Sequence, residues 1–196
     1  MFAGVLMSEL AERLNKVLDR VTSDDFLSGR GLGNEIPFHA FDYPPELEFD
    51  VREHVRFLEE QIPKRHPSLS VLTINLFELV VDYLKDRRLF DKAVDMQRKK
   101  GDEATLKALR APLDSSKLAK EIHERIESAR PSMVFLTGIG SAFPLVRTHN
   151  LLNSLHPLMG QTPLVLFYPG QYDGQSLRLF GLLNDRPYYR AFRLVD

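Results

Sequence analysis

Gly138-Ile139-Gly140-Ser141, Arg147, His149, Asn150, Asp173 and Gly174 are the residues whose types and spacing come closest to a chemical pattern. The glycine segment follows an apolar run, Met133 to Thr137, and precedes an amphipathic stretch. A strand, a glycine turn and a helix in that order aim helix N-terminal amides at the carboxyl edge of a sheet, where anions bind. The third glycine of G-x-G-x-x-G is Phe143, however, and no Asp or Glu lies between Glu127 and Asp173 to hold a ribose. The segment therefore has two readings: a tight turn that needs small residues, or a surface for an anion or a protein partner. Gly170 to Gly174 follows a second apolar run, with Asp173 placed to cap a helix over about 177–183. Two polar, glycine-bearing loops at one sheet edge make the best candidate site.

Other chemistries lack their parts. A nucleotide-hydrolysing P-loop needs G-x-x-x-x-G-K-[ST] after a strand, and the chain has none. Gly29, Gly31 and Gly33 come before a candidate strand rather than after one. Ser141 is not in a G-x-S-x-G elbow, because positions 139 and 143 are Ile and Phe. His149 and His156 are seven apart, and His123-Glu124 has no second histidine, so the helical metal spacing is missing. Cysteine is absent, which removes disulfides, thiolate nucleophiles and zinc fingers. Arg98-Lys99-Lys100 has no interleaved aromatic residue for base stacking, and a helix C-terminus beside Gly101 explains its charge. No catalytic residue, metal or cofactor is expected, and direct DNA contact is not favoured.

The elements that must position these residues alternate. Strands are expected at 36–41, 70–76, 133–137, 163–168 and 189–194. Helices are expected at 8–22 with Ser8 as N-cap, at 49–63, after Asn75, at 87–99, 102–111 and 115–129, at 144–158 and at 177–183. Alternation of this kind predicts an α/β fold: a mostly parallel sheet of about five strands with helices on both faces, P-loop-like without its motif. Residues 1–196 read as one domain with a helical insertion at about 85–130.

The 196 residues carry 26 basic and 27 acidic side chains, a net charge of -1, so bulk charge argues for neither a nucleic-acid nor an anionic-membrane binder. The distribution is uneven. Residues 1–84 have net charge -7, and residues 85–130 have net charge +4. A dipolar chain can steer an oppositely patterned partner. The apolar run Met1 to Met7 is too short for a signal sequence and has no basic residues before it. No stretch reaches the length of a membrane span. Met7 is an alternative start to Met1. The expected location is the cytoplasm.

Val134-Phe-Leu-Thr-Gly-Ile-Gly-Ser141, Val146-Arg-Thr-His-Asn-Leu-Leu-Asn153, Pro163 to Phe180 and Tyr189-Arg-Ala-Phe192 resemble the C-terminal signature of the BrxB family. Phe38-His39-Ala40-Phe41-Asp42-Tyr43-Pro44 extends the likeness toward the N-terminus, over nearly the whole chain. The family belongs to BREX bacteriophage-exclusion systems. The resemblance implies a cytoplasmic antiviral component working beside an alkaline-phosphatase-like protein (PglZ), a large AAA+ ATPase (BrxC) and a DNA methyltransferase (PglX). It carries over no catalytic residue. It implies a non-enzymatic adaptor or assembly subunit that binds those proteins. The alternative is a nucleotide- or nucleic-acid-binding subunit, catalytic or not, using the Gly138–Ser141 loop.

Overall fold

The computed structural model describes residues 2–28, 38–184 and 191–196. Gly29, Gly31, Gly33 and the ends of the first and last expected strands at Ile36, Pro37, Tyr189 and Arg190 lie outside them.

The strongest strand signals become the middle of the sheet. β1 (Phe38–Tyr43), β2 (Val71–Asn75), β3 (Met133–Thr137), β4 (Leu164–Tyr172) and β7 (Ala191–Arg193) run parallel in the order β2-β3-β4-β1-β7. Alternate residues of the central strands enter opposite cores. Val134, Leu136, Leu164, Leu166, Phe38 and Ala40 face one; Met133, Phe135, Val165, Phe167, Phe41 and Tyr43 face the other. A sheet buried on both sides has no polar face, which is why these strands read as continuous apolar runs.

The helices cover the two faces separately. α1 (Phe2–Val21), α2 (Asp24–Ser28) and α3 (Glu48–Arg65) close one side, with Val51, Val55, Leu58 and Ile62 of α3 buried at helical spacing. α4 (Leu76–Asp86), α5 (Phe90–Leu109), α6 (Ser115–Ala129) and α8 (Thr148–Leu155) close the other. Asn75 caps α4, its side chain accepting from the Phe77 and Glu78 amides. Gly101, at φ 79°, breaks α5 into the two helices expected on either side of it. Leu118, Ala119, Ile122 and Ile126 of α6 are fully part of the core.

Four expectations are corrected. Ser8 does not cap a helix, because α1 begins at Phe2 and runs through it. The segment Gly138–Ser141 is not only a loop: Ile139–Ala142 forms a single helical turn, α7. The helix expected from 144 starts at Thr148. Arg147, just before it, is extended at φ -97° and ψ 117°, so helical conformation begins only after Arg147. The helix expected over 177–183 is a hairpin: β5 (Leu177–Leu179) pairs antiparallel with the end of β4 and with β6 (Leu183–Asn184). Leu177 and Leu179 are buried and Arg178 is exposed, the period of a strand, and Phe180 and Gly181 turn the chain at φ 58° and 69°.

Candidate functional site at the carboxyl edge of the sheet

Parallel strands end on one edge, so Asn75, Thr137 and Tyr43 finish β2, β3 and β1 there. Gly138 follows β3 in a left-handed conformation, φ 68°. A Cβ at Gly138 would lie 2.0 Å from Oδ1 of Asn75. The glycine thus makes room for the side chain that caps α4. At Gly140 a Cβ would meet Phe180 at 3.0 Å and Pro169 at 3.1 Å. Phe180, in the β5–β6 turn, thus packs against α7 at Gly140.

Ser141 is held from the opposite face. Its Oγ accepts from Arg52 at 3.4 Å. Arg52 also donates to Glu48 at 2.7 Å, and the Tyr43 hydroxyl donates to the other Glu48 oxygen. Burial and the adjacent carboxylate push the Tyr43 hydroxyl well above its ordinary pKa. This Tyr43–Glu48–Arg52–Ser141 chain stitches α3 to α7 across the sheet end. An open cavity of about 350 Å³ lies beside it, lined by Arg52, Arg56, Asn75 and Thr137.

The remaining candidates separate. Gly170 is inside β4, not in a loop, and its Cβ would lie 2.1 Å from the Arg178 carbonyl oxygen, so the close β4–β5 pairing requires glycine. Asp173 caps a turn rather than a helix, accepting from the Gln175 and Ser176 amides at 2.9 and 2.7 Å, with Gly174 beside it at φ 90°. Those amide bonds hold the Asp173 carboxyl below its usual range. Arg147 precedes α8, its guanidinium 5.0 Å from the Phe143 ring centroid. Arg147 and Asn150 line a second cavity, shared with α5 and α6. His149 is half-buried in the first turn of α8.

The sequence reading passed over the group that ties the edge together. Asp42, buried in β1, accepts from Arg13 at 2.8 Å, from Arg193 at 3.2 Å and from the Tyr172 amide at 2.9 Å. Arg13 also donates to the Asp42 carbonyl oxygen, and Arg193 to that of Tyr172. One carboxylate thus joins α1, β1, β4 and β7. A carboxylate in the run Phe38–Tyr43, among four apolar or aromatic residues and one histidine, was the available signal, since buried charges are paired.

The edge is also rimmed with apolar side chains. Among the described residues the exposed large hydrophobic side chains are Leu6, Met7, Phe49, Phe57, Phe77 and Leu182. Leu6, followed by Met7 in α1, lines a concavity with Asp42, Gly170 and Phe180. Phe49 and Phe77 are the second residues of α3 and α4, which follow β1 and β2, and Leu182 lies in the β5–β6 turn. These five thus stand at this end, while Phe57 is further along α3. Leu182 is 83% exposed and Phe49 79%. Among the described residues no group of three or more His, Cys, Asp or Glu side chains is placed to hold a metal ion, and no helix is long and apolar enough to cross a membrane.

Fold and site define a three-layer α/β protein with an apolar, arginine-bearing rim around a packed glycine turn. The model of the family described as BREX protein BrxB matches residues 72–194. A BREX protein BrxB of Bacillus cereus (strain H3081.97) is 41% identical over 194 residues, covering 97% of this chain and 100% of the relative. Another, from Escherichia coli O9:H4 (strain HS), is 41% identical over 186 residues, covering 95% of this chain and 92% of the relative. The chain belongs to the BrxB family, which gives it a role in a BREX phage-defence system. No solved structure matches it.

Proposed function

We propose that the protein is a non-catalytic adaptor or assembly subunit that binds other proteins of a BREX complex through the carboxyl edge of its sheet. The carrying observation is the concentration of exposed Leu6, Met7, Phe49, Phe77 and Leu182 at that one end. Interfaces are enriched in aromatic residues, Met and Arg, and exposed apolar patches of this kind mark contact sites. Arg52, 5.8 Å from the Phe49 ring centroid, supplies the arginine. Its partners are other BREX components, with the phosphatase-like, ATPase and methyltransferase proteins as the candidates.

The nucleotide-binding alternative gains less support. It lacks the P-loop lysine and the third glycine of the dinucleotide turn, and the helix that follows Gly138 is a single turn of four residues.

The test is co-expression with those three BREX proteins and sizing of the complexes. Phe49→Glu/Leu182→Glu replaces two exposed side chains, so folding is expected to persist while affinity for a partner falls about tenfold or more, with loss of phage protection. Wild-type affinity and protection in the folded double variant would sink the assignment of this surface. Thermal stabilisation of the lone protein by a nucleotide would move the weight to the alternative.

A further inference from the structure

On the face of the sheet covered by α5, α6 and α8, the end of α5, the start of α6 and the segment before α8 enclose a cavity of about 380 Å³. Buried Leu109, Leu113 and Val146 contribute apolar wall. Two exposed arginines, Arg110 and Arg147, also line it, brought together from different elements. Among the described residues neither has an ion-pair partner. Arg147 rests on the Phe143 ring instead, which fixes its guanidinium without neutralising it.

The carboxylate in the wall is already committed. Asp114 caps α6, accepting from the Ser116 amide at 3.0 Å and the Ser116 hydroxyl at 2.5 Å. Hydrogen bonding holds its carboxyl below the usual range, so it stays charged. A fixed negative charge beside two arginines repels a dianionic phosphate more than a monoanionic carboxylate. The arginine fork takes a carboxylate in two-point geometry, as it does a phosphate, so the discrimination rests on Asp114.

A second concavity of about 180 Å³ adjoins the first through Leu109, which lines both. Met96, Ala108 and Pro112 line it, with Lys92 the charged member. The surrounding stretch, residues 85–130, has net charge +4. An apolar cleft running into a cationic pocket is complementary to a segment with an apolar side chain followed by an acidic one.

We infer that these adjoining concavities form a docking groove for an acidic amphipathic segment of a partner protein. An apolar side chain enters the cleft between Met96 and Pro112, and a carboxylate pairs with Arg110 and Arg147. The occupant is a protein segment by virtue of the adaptor reading above; the groove's residues are otherwise independent of the apolar rim.

The experiment uses the full chain and a labelled short helical peptide of Leu and Glu, with a Gln-for-Glu counterpart as control. The Glu peptide is expected to bind, more weakly as salt rises. Binding is expected to fall about tenfold or more in Arg110→Glu/Arg147→Glu. It should recover in part in Arg110→Lys/Arg147→Lys, with unchanged melting curves in both. No binding to wild type, equal binding of the Gln peptide, or full binding by the charge-reversed variant would overturn the inference. Displacement by inorganic phosphate alone would reassign the pocket to a small anion and overturn it. So would wild-type self-association abolished by the charge reversal, which would assign the groove to a second copy of this chain. Co-purification tests the apolar rim and peptide binding tests this groove, so each can fail separately.

Discussion

Asp42 and Asp173 lie at the same end of the sheet, one near the end of β1 and one in the turn between β4 and β5, and their environments differ in range. Asp42 is 8% exposed and gathers two arginines and an amide from segments 29, 130 and 151 residues away. Asp173 is exposed and bonds the amides two and three residues on. Its ion pair with Arg178, at 3.7 Å, is on the surface, where such pairs contribute little. The residue that looked functional by local pattern thus holds one turn, and the one just past the end of an expected strand holds four elements. An Asp-Gly pair writes its role into adjacent residues; a buried carboxylate depends on partners supplied by folding.

Substitutions should widen that contrast. Asp42→Ala leaves Arg13 and Arg193 without their carboxylate inside the sheet edge, and a loss of about 3 kcal/mol in unfolding free energy is expected. Urea denaturation checks it, and a loss as small as that of an ordinary surface substitution would remove Asp42 from its central place.

Acid should act on the same buried region next. His39, three residues before Asp42 in β1, has both ring nitrogens buried without a hydrogen-bond partner and packs 4.8 Å from the Phe26 ring. Burial, then the Arg20 charge, pushes its pKa down to about 4. The unfolded chain takes up that proton near pH ~6.5, while the folded one resists until about pH 4. Stability from neutral His39 is therefore complete above about pH 6.5 and lost as pH falls toward 4, by about 3 kcal/mol. His54, lowered by burial, acts in the same direction. Denaturation midpoints at successive pH values should show this slope, and His39→Leu should flatten it.

Gly138→Ala tests the turn between the two regions. Its positive φ and the approach of Asn75 predict a loss of about 2 kcal/mol, whereas Gly174→Ala, with open space around its Cβ, carries only the conformational strain and should cost less. The smallest effect belongs to Asp173→Ala: a slight fall in melting temperature with the fold retained. A large fall would mean that the hairpin turn organises more than itself.

Much of the fold was legible. Val51, Val55, Leu58 and Ile62 marked α3, Asn75 marked the start of α4, Gly101 marked the break in α5, and Met133–Thr137 marked β3. These signals are local, carried by periodicity, caps and turn chemistry. The failures fell where an apolar run fits two periods, as at 177–183, or where extended residues precede a helix whose apolar spacing starts earlier, as before Thr148. The site was less legible. Gly138, Gly140 and Ser141 were correctly set at the carboxyl edge, but Arg52 and Phe180, which contact Ser141 and Gly140, are 89 and 40 residues away in sequence.

By itself the sequence determined the α/β class, the parallel strands buried on both faces, the asymmetric charge and the lack of the P-loop motif, because each is a matter of residue type at short spacing. Tertiary structure alone decided that Phe180 of the hairpin packs against Gly140, that Asp42 joins four elements, and that Arg110 and Arg147 share one cavity. Those relations arise when crossovers bring distant segments to one sheet edge, and no short-range pattern records which segments meet.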